Sequence, residues 1–423
     1  MPTTILRGAP AAAVALLAFA TPAAAAGTAA LPTAAVTSVV TTTAPTAAPT
    51  AAPTAAPTAA PTVPTVVPSV APDTTFALPK PTGPYPVGTT TLHLVDDSRP
   101  DPWVPEEKAR ELMVSLWYPS KASGGRRAAY MTREEAALVL KGLEARGAAE
   151  DAVRLSGTRT NSFLDTPPIG RRRGLPLVVL SPGFSVPRSS LTALAEDLAS
   201  KGYVVAGIDH VHESFGTTLP GGRTATCVAC ASEDDDDFGD KTTRGRAADV
   251  SFVLDRLTGQ RPAWKGGELI DPSRIAMAGH SIGGNSASWT MLSDSRVRAG
   301  VNMDGTFYVP IPEKGLRRPF LMLGAGKIHE PGGLDVSWGR DWRHMTGWKR
   351  WLTVGGMEHV SFCDYPLFAE RLGMKTESSL SGPRSVEIVR TYVGAFVDLH
   401  LRKRARPLLD RPSRSYPEVR FWR

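Results

Sequence analysis

A serine flanked by glycines carries the clearest chemical signature in this sequence. Ser281 lies in the hexapeptide GHSIGG, directly after the apolar run IAMA and before the helix-compatible NSASWTML. A nucleophile elbow has this layout, because a serine in a strained strand-to-helix turn needs small residues two positions before and after it. Gly279 and Gly283 occupy those two positions. The pattern predicts that Ser281 attacks an acyl carbonyl, and a glycine-rich packing turn is the alternative.

A serine nucleophile needs a base to take its proton and an acid to orient that base. In proteins that use a nucleophile elbow, the order along the chain is serine, acid, histidine. Three histidines lie beyond a strand that follows Ser281, namely His329, His344 and His359. His359 directly follows the apolar run RWLTV and the glycines after it, near the end of the predicted domain. We therefore predict His359 as the base.

The acid is predicted from its place on the sheet. Asp304 ends the apolar run AGVNM, which would put it on the same sheet edge as Ser281. The more common position for the acid follows the next strand, where the sequence offers Glu330, with Asp335 farther along. We predict Asp304 and keep Glu330 as the alternative. Asp304 could also be a turn residue, since Asp-Gly is a turn signal.

Two backbone N–H groups are expected to bind the oxyanion that forms during acyl transfer. One belongs to Ile282, the residue after the nucleophile. The other should come from the loop after the run LPLVVL, where SPGFS makes Phe184 the expected donor. This chemistry requires neither a metal nor a cofactor.

Alternating strands and helices must position these residues. Short apolar runs typical of buried strands occur at LPLVVL, YVVAGI, IAMA, AGVNM, PFLMLG and RWLTV, with helical stretches between them. The alternation predicts an α/β protein with a mostly parallel central sheet and helices on both faces. Residues 89–97 and 111–119 are two further predicted strands, and residues 130–156 are predicted to be helical.

Composition divides the chain into three parts. Residues 1–26 combine one arginine, an apolar run and a small-residue exit, which predicts a cleaved signal peptide and a secreted, extracellular protein. Residues 27–77 are rich in Ala, Pro and Thr and predict a disordered stalk. Residues 78–423 are the predicted catalytic domain. Its helical insertion at about 124–168 and its loop insertion at about 211–243 are expected to wall the substrate pocket.

The charge of the chain bears on which classes of partner are expected. The formal net charge is +7, with basic clusters at residues 171–173 and 402–406. Because no basic helix with interleaved aromatic residues occurs in the sequence, nucleic-acid binding is not expected. A small-molecule or lipid ester is the expected substrate, and the basic surface is compatible with a lipid interface. The oligomeric state stays open.

Three cysteines, Cys227, Cys230 and Cys363, are present. In an exported chain a structural disulfide is favoured over a redox or metal-binding role for the CVAC pair. The pairing stays open between a Cys227–Cys230 bridge and a bridge from one of them to Cys363.

The quoted motifs, in this order, resemble the platelet-activating factor acetylhydrolase family, specifically its bacterial, secreted, lipase-like members. The resemblance spans residues 78 to about 400 and rests on LVVLSPGF, LAEDLASKGYVVAGIDH, RAADVSFVLDRL, GHSIGG, VNMDG and EHVSFCDYPLF. It implies the α/β-hydrolase fold and a serine carboxylic ester hydrolase that acts on short or oxidised acyl esters of lipids through an acyl-enzyme, without a metal.

The resemblance also implies roles for individual residues. Ser281 would be the nucleophile, Asp304 the acid and His359 the base, with Phe184 and Ile282 as oxyanion donors. The sequence departs from the family at residues 182–183, where Pro-Gly stands in place of the usual His-Gly. Loss of that imidazole would change how the oxyanion loop is held.

Other functions compete with the esterase hypothesis. His210 and His212 form an HxH pair beside Glu213, which suggests a metallohydrolase, and the acidic residues 233–237 suggest a calcium site. A non-catalytic binding module presented on the stalk is a second alternative. An acyltransferase or polyester hydrolase with the same catalytic residues is a third.

Overall fold

Apolar runs rich in β-branched residues form the strands of a ten-stranded sheet. The structure is a computed structural model that describes residues 75–423 except residue 122 and residues 146–148. The predicted signal peptide and all but the last three residues of the predicted stalk lie outside the described residues. The strands are β1 (Val87–Asp96), β2 (Arg110–Pro119), β3 (Ser162–Leu164), β4 (Leu175–Ser181), β5 (Val204–His210), β6 (Thr217–Thr218), β7 (Thr224–Ala225), β8 (Ile270–His280), β9 (Val297–Met303), β10 (Phe320–Ala325), β11 (Lys349–Val354) and β12 (Val419–Trp422).

Helices connect most of the central strands. They are α1 (Arg133–Gly142), α2 (Ala149–Ser156), α3 (Thr192–Ser200), α4 (Phe238–Thr258), α5 (Ile282–Ser293), α6 (Gly326–His329), α7 (Ser337–Trp342) and α8 (Gly382–Arg402). Short 3-10 turns link several elements, and one of them spans His359–Phe362. Within the described residues, no helix has both the length and the apolar character needed to cross a membrane.

The order of strands across the large sheet is β12-β11-β10-β9-β8-β4-β5-β2-β1-β3, and β6 and β7 pair with each other in a separate two-stranded sheet. The six strands from β11 to β5 run parallel to one another. The outer strands β12 and β2 join this block antiparallel. The predicted fold class, a mostly parallel sheet with helices on both faces, is confirmed.

The core has one apolar cluster on each face of the sheet, because successive side chains of a strand point to opposite faces. Val178 of β4 packs in the same cluster as Leu198 of α3 and Phe396 of α8. Its neighbour Val179 packs in the other cluster, which includes Met291 of α5 and residues of α4. The parallel block is therefore buried on both sides, and its polar residues lie at strand ends.

The two predicted strands before the parallel block are confirmed as β1 and β2. The prediction of one helical stretch over residues 130–156 is wrong in one respect. Helix α1 starts with a capping box between Thr132 and Glu135 and ends at Gly142, and Glu144 then takes a positive φ of 50°. A left-handed residue cannot continue a right-handed helix, so α2 is a separate helix. Strand β3, which pairs with β1, follows α2 within the insertion predicted at about residues 124–168.

Candidate active site

Ser281 lies in a sharp turn between β8 and α5. Its backbone has φ 57° and ψ −130°, a conformation that side-chain-bearing residues rarely adopt. The turn requires close backbone approach, since a Cβ added to Gly279 would lie 2.0 Å from the Gly283 carbonyl carbon. The amide of Ser281 donates to the Met303 carbonyl of β9 at 2.8 Å. Ser281 thus stands at the carboxyl edge of the sheet and at the N-terminus of α5, where unpaired N–H groups favour negative charge.

Asp304 and His359 meet at the same edge of the sheet. Strand β9 pairs with β8 so that Met303 lies opposite His280, which places Asp304 beside the Ser281 turn. Asp304 Oδ2 accepts a hydrogen bond from His359 Nδ1 at 2.6 Å. His359 follows β11 and its side chain is 35% exposed, whereas the Asp304 side chain is fully buried. Because Nδ1 donates to the carboxylate, a neutral His359 ring carries its lone pair on Nε2.

A second histidine contacts the other oxygen of Asp304. His329 Nδ1 lies 2.7 Å from Asp304 Oδ1, and the Ala325 amide donates to the same oxygen at 2.6 Å. Burial by itself would raise the pKa of Asp304, but the charges and hydrogen bonds of His329 and His359 hold it well below its usual value. In the sequence, His329 is only a competing candidate for the base, and no motif indicates a role beside Asp304.

His280, inside the GHSIGG motif, supports the turn that carries His359. Its Nε2 donates to the His359 carbonyl at 2.9 Å, and the two imidazole rings lie 4.8 Å apart between centroids. Burial, helped by the charge of His359, lowers the pKa of His280 to about 3. A neutral ring is therefore fixed beneath the turn that carries His359. Sequence reasoning missed this residue, although its position at the end of a buried strand was visible.

Phe184 and Ile282, the two expected oxyanion donors, share one buried apolar cluster. The ring of Phe184 lies 4.7 Å from that of Phe238, in an edge-on arrangement. The other members of the cluster and its neighbours are Trp103, Val104, Cys227, Ala229 and Cys230. The structure therefore brings the loop after β4 and the start of α5 together.

The cysteine pairing left open by the sequence is a bridge between Cys227 and Cys230. The bonded pair packs against the cluster that contains Phe184 and Ile282. Cys363 is a buried free thiol whose sulfur donates to the Val360 carbonyl at 3.2 Å, and burial raises its pKa to about 12.

Arg246 of α4 holds the loop in which Pro-Gly replaces the family's His-Gly. Its guanidinium donates to the Pro182 carbonyl at 2.5 Å and to the Gly183 carbonyl at 3.5 Å. The guanidinium also donates to Glu213 at 2.7 Å, and Arg246 is 1% exposed. Below the same loop, Ser181 Oγ lies 3.0 Å from His210 Nε2. A buried arginine, to which no motif in the sequence pointed, thus holds this loop.

The HxH pair does not converge on one point. His210 faces Ser181 and Asp249, whereas His212 Nε2 lies 3.3 Å from Glu107. His212 has a positive φ of 69°, which breaks the alternation of an extended strand and turns the two rings apart. This geometry therefore does not support a common metal centre for the pair, which was an alternative to the esterase hypothesis.

His212 belongs instead to a group with Asp101 and Glu107, whose ligand atoms lie within 4.8 Å of one another. This group fits a cation poorly, because the buried guanidinium of Arg110 already donates to Asp101 at 2.6 Å. The acidic residues 233–237, the second metal candidate, are all exposed. Glu330, the alternative acid, faces Arg420 at 4.0 Å.

Comparison with protein families gives an independent result. The model of the family described as platelet-activating factor acetylhydrolase, isoform II, matches residues 70–222 and 264–400. These two ranges include all five residues predicted for the site. The resemblance inferred from the motifs is confirmed.

Individual relatives extend the match to most of the chain. A protein of Arthroderma benhamiae named "Probable 1-alkyl-2-acetylglycerophosphocholine esterase" is 27% identical over 392 residues, 82% of this chain and 94% of that protein. The platelet-activating factor acetylhydrolase of Bos taurus is 23% identical and covers 47% of this chain and 50% of its own length. The solved structure of a ferulic acid esterase from Streptomyces cinnamoneus superposes with a TM-score of 0.74 at 43% identity, over 82% of this chain and 99% of that one.

Proposed function

The chain belongs to the platelet-activating factor acetylhydrolase, isoform II, family, and we propose that it hydrolyses carboxylic esters through an acyl-enzyme on Ser281. The named relatives, two kinds of esterase, support ester hydrolysis. The observation that carries the serine mechanism is the strained Ser281 turn beside a hydrogen-bonded Asp304–His359 pair. Backbone strain of this kind persists only where the surrounding structure enforces it, and it is concentrated at active sites.

In the proposed mechanism, Nε2 of His359 removes the proton of Ser281 as the serine oxygen attacks the acyl carbonyl. Asp304 orients the imidazole through Nδ1 and stabilises its charged form. His359 then gives the proton to the departing alcohol, and a water activated by the same imidazole releases the acid. Apart from the substrate and the attacking water, every group in these steps belongs to this chain.

The negative charge that forms on the carbonyl oxygen would be bound by the backbone N–H groups of Phe184 and Ile282. Such a donor is worth about 2.7–4 kcal/mol of barrier lowering in enzymes where it has been removed. The clustering of both residues, with Arg246 fixing the carbonyls before Phe184, supports this assignment.

The test is a panel of p-nitrophenyl esters from acetate to palmitate, with a chelator present throughout. We expect hydrolysis by the mature protein and its loss in Ser281→Ala. Ser293→Ala is the matched control, because Ser293 is an exposed serine at the other end of α5. Activity that survives Ser281→Ala would contradict the serine mechanism. A fluorophosphonate probe should label the wild type and the control but not Ser281→Ala.

The acyl group is the point on which the relatives differ. Short acyl esters of lipids agree with the family and with the fungal relative. A hydroxycinnamoyl ester is a second candidate, because the ferulic acid esterase is the more similar of the two in sequence and Phe184 packs beside Trp103 and Phe238. Methyl ferulate, p-nitrophenyl acetate and a 2-acetyl phospholipid, compared by kcat/KM, separate these candidates. An alcohol acceptor added to the assay distinguishes an acyltransferase from a hydrolase.

We further propose that the protein is exported after cleavage of residues 1–26. The signal-peptide composition of that segment supports export, and so does a disulfide in the domain, because disulfides persist in oxidising compartments. N-terminal sequencing of protein recovered from culture medium tests it. A mature chain that still begins at Met1 would contradict the cleavage.

A further inference from the structure

His329 lies between two buried carboxylates. Its Nδ1 is 2.7 Å from Asp304 Oδ1, and its Nε2 is 3.0 Å from Asp335 Oδ2. An ionised carboxylate only accepts hydrogen bonds, whereas a neutral imidazole has one donor and one acceptor nitrogen. Both contacts are satisfied only when both ring nitrogens carry a proton. The arrangement therefore requires His329 to be an imidazolium.

We propose that His329, held by Asp335, is a positioning residue that acts through Asp304 on His359 and so sets the pH dependence of ester hydrolysis. The proposal rests on the proposed esterase function, because it concerns the same Asp304–His359 pair. Four side chains are hydrogen-bonded in series, in the order Asp335, His329, Asp304 and His359. In the proposed mechanism only His359 meets the substrate.

The two oxygens of Asp304 serve different partners. Oδ2 accepts from His359 Nδ1 at 2.6 Å, and Oδ1 accepts from His329 and from the Ala325 amide. A single carboxylate charge is thus shared between two imidazoles. The fixed positive charge of His329 weakens the stabilisation that Asp304 gives to a protonated His359. The charge of His329 should consequently appear in the pH dependence of ester hydrolysis.

The surroundings of His329 keep this effect strong. The ring is stacked on Trp338 of α7 with 4.2 Å between centroids, and Trp351 of β11 donates to the His329 carbonyl at 2.6 Å. The charged groups that face the ring are Asp304 and Asp335. His359 lies beyond Asp304 and is itself faced by the neutral ring of His280. Burial favours the neutral ring, but the charges and hydrogen bonds of the two carboxylates raise the pKa of His329 to about 9. Water has little access, since His329 is 2% exposed.

Asp335 is built to hold this charge. Its Oδ2 contacts His329, while its Oδ1 accepts from the Ser337 amide at the start of α7 at 2.7 Å. The pKa of Asp335 is lowered, against the effect of burial, by the hydrogen bonds from His329 and Ser337. Asp335 therefore stays ionised and locks the ring in one orientation.

The test compares the pH dependence of kcat/KM for p-nitrophenyl acetate between pH 5 and 10, read at the isosbestic wavelength of p-nitrophenol. His329→Asn is the main variant, because its amide nitrogen can still donate to Asp304 Oδ1 but carries no charge. We expect the acid limb of its profile to move to higher pH by about one unit. The double variant His329→Asn/Asp335→Asn removes both charges of the buried ion pair. Its acid limb should fall between those of the wild type and the single variant.

Asp341→Asn is the matched control, since Asp341 is a buried carboxylate of α7 that accepts from the Ile311 amide and does not contact Asp304. Its acid limb should equal that of the wild type. An acid limb that is unchanged in folded, fluorophosphonate-reactive His329→Asn or in the double variant overturns the proposal and leaves the serine mechanism standing. Esterase activity that survives Ser281→Ala overturns both.

Discussion

The described residues contain two sets of serine, histidine and aspartate that share a histidine–aspartate hydrogen bond. In one, His359 Nδ1 donates to Asp304 at 2.6 Å beside Ser281. In the other, His210 Nδ1 lies 2.6 Å from Asp249, and His210 Nε2 lies 3.0 Å from the hydroxyl of Ser181. By residue types and distances alone, the second set is the more complete triad.

Access and backbone conformation separate the two sets. The His359 side chain is 35% exposed, whereas the side chains of His210 and Asp249 have no exposure. Ser281 stands in a strained turn at a helix N-terminus, but Ser181 is the last residue of strand β4. A substrate carbonyl can therefore reach only the first set.

The charges around the two histidines also differ. His210 is buried near the cationic Arg246, and burial together with this charge lowers its pKa, so the ring stays neutral. Asp249 gains ionic contacts from Arg110 and Arg99, which hold its pKa well below the usual value although burial works to raise it. The buried set is a support for the loop after β4, and the exposed set has the geometry for chemistry.

The largest difference should come from replacing the histidine of each set in turn and comparing the two variants. We expect His359→Gln to lower kcat/KM for p-nitrophenyl acetate by about 10⁴-fold or more, because no other group can remove the serine proton. His210→Gln should stay within about tenfold of the wild type but lose about 1–3 kcal/mol of unfolding free energy, since Asp249 loses a buried hydrogen bond. Activity assays and urea denaturation measure both. The reverse pattern would move the nucleophile to Ser181.

Arg246 links the two sets, and its removal should have the next largest effect. Arg246→Met frees the Pro182 and Gly183 carbonyls, so we expect kcat to fall by about 10²-fold while KM changes little, as for a lost oxyanion donor. The double variant with Glu213→Gln avoids leaving a buried carboxylate without its partner. Arg99→Met is the control, because Arg99 contacts Asp249 but not the loop. Equal losses of kcat in the control and in Arg246→Met would contradict the role of Arg246 in holding the loop after β4.

His329 and His210 should make the free energy of unfolding change with pH in opposite directions. The folded-state pKa of His329 is raised to about 9, so its contribution is complete below the unfolded value near 6.5 and is lost as pH rises to 9, up to about 3 kcal/mol. His210 has a lowered pKa and costs stability as pH falls below the unfolded value.

Urea denaturation at pH 5, 7 and 9.5 separates these slopes. His329→Asn should remove only the fall in unfolding free energy between pH 7 and 9.5. His210→Gln should remove only the fall between pH 7 and 5. A wild-type protein with equal stability at pH 7 and 9.5, in which His329→Asn changes nothing, would show that the ring is not charged in the folded state.

The exposed set could be predicted from the sequence because each member follows a recognisable strand. Ser281, Asp304 and His359 stand at three strand ends, and a parallel sheet brings such ends to one edge. The fold class followed from the same alternation. The position of Asp304 directly after β9, rather than after β10, was also visible as the Asp-Gly that ends an apolar run.

The supporting residues could not be predicted, since they depend on contacts between distant segments. Arg246 is one of many arginines on a helix pattern, and only the packing of α4 places it under residues 182–183. His329 and Asp335 lie in a loop-rich stretch where no period indicates which way a side chain points. The break between α1 and α2 depends on the positive φ of Glu144, an ordinary residue without a turn signature.

The smallest effect is expected from the disulfide, which packs against the cluster that contains Phe184 and Ile282. It joins two cysteines only three positions apart in the sequence. In the chain-entropy account so short a loop stabilises a fold by about 2 kcal/mol at most. We expect Cys227→Ser/Cys230→Ser to lower the unfolding free energy by that amount or less and to change kcat by less than about threefold, because Arg246 already fixes the loop before Phe184. Wild-type protein assayed with dithiothreitol provides the matched measurement without a substitution, and Cys363 does not confuse it because that thiol is buried and unbonded. A loss of kcat comparable to that of Arg246→Met would contradict this expectation and would mean that the bridge is as important as Arg246 for holding the loop before Phe184.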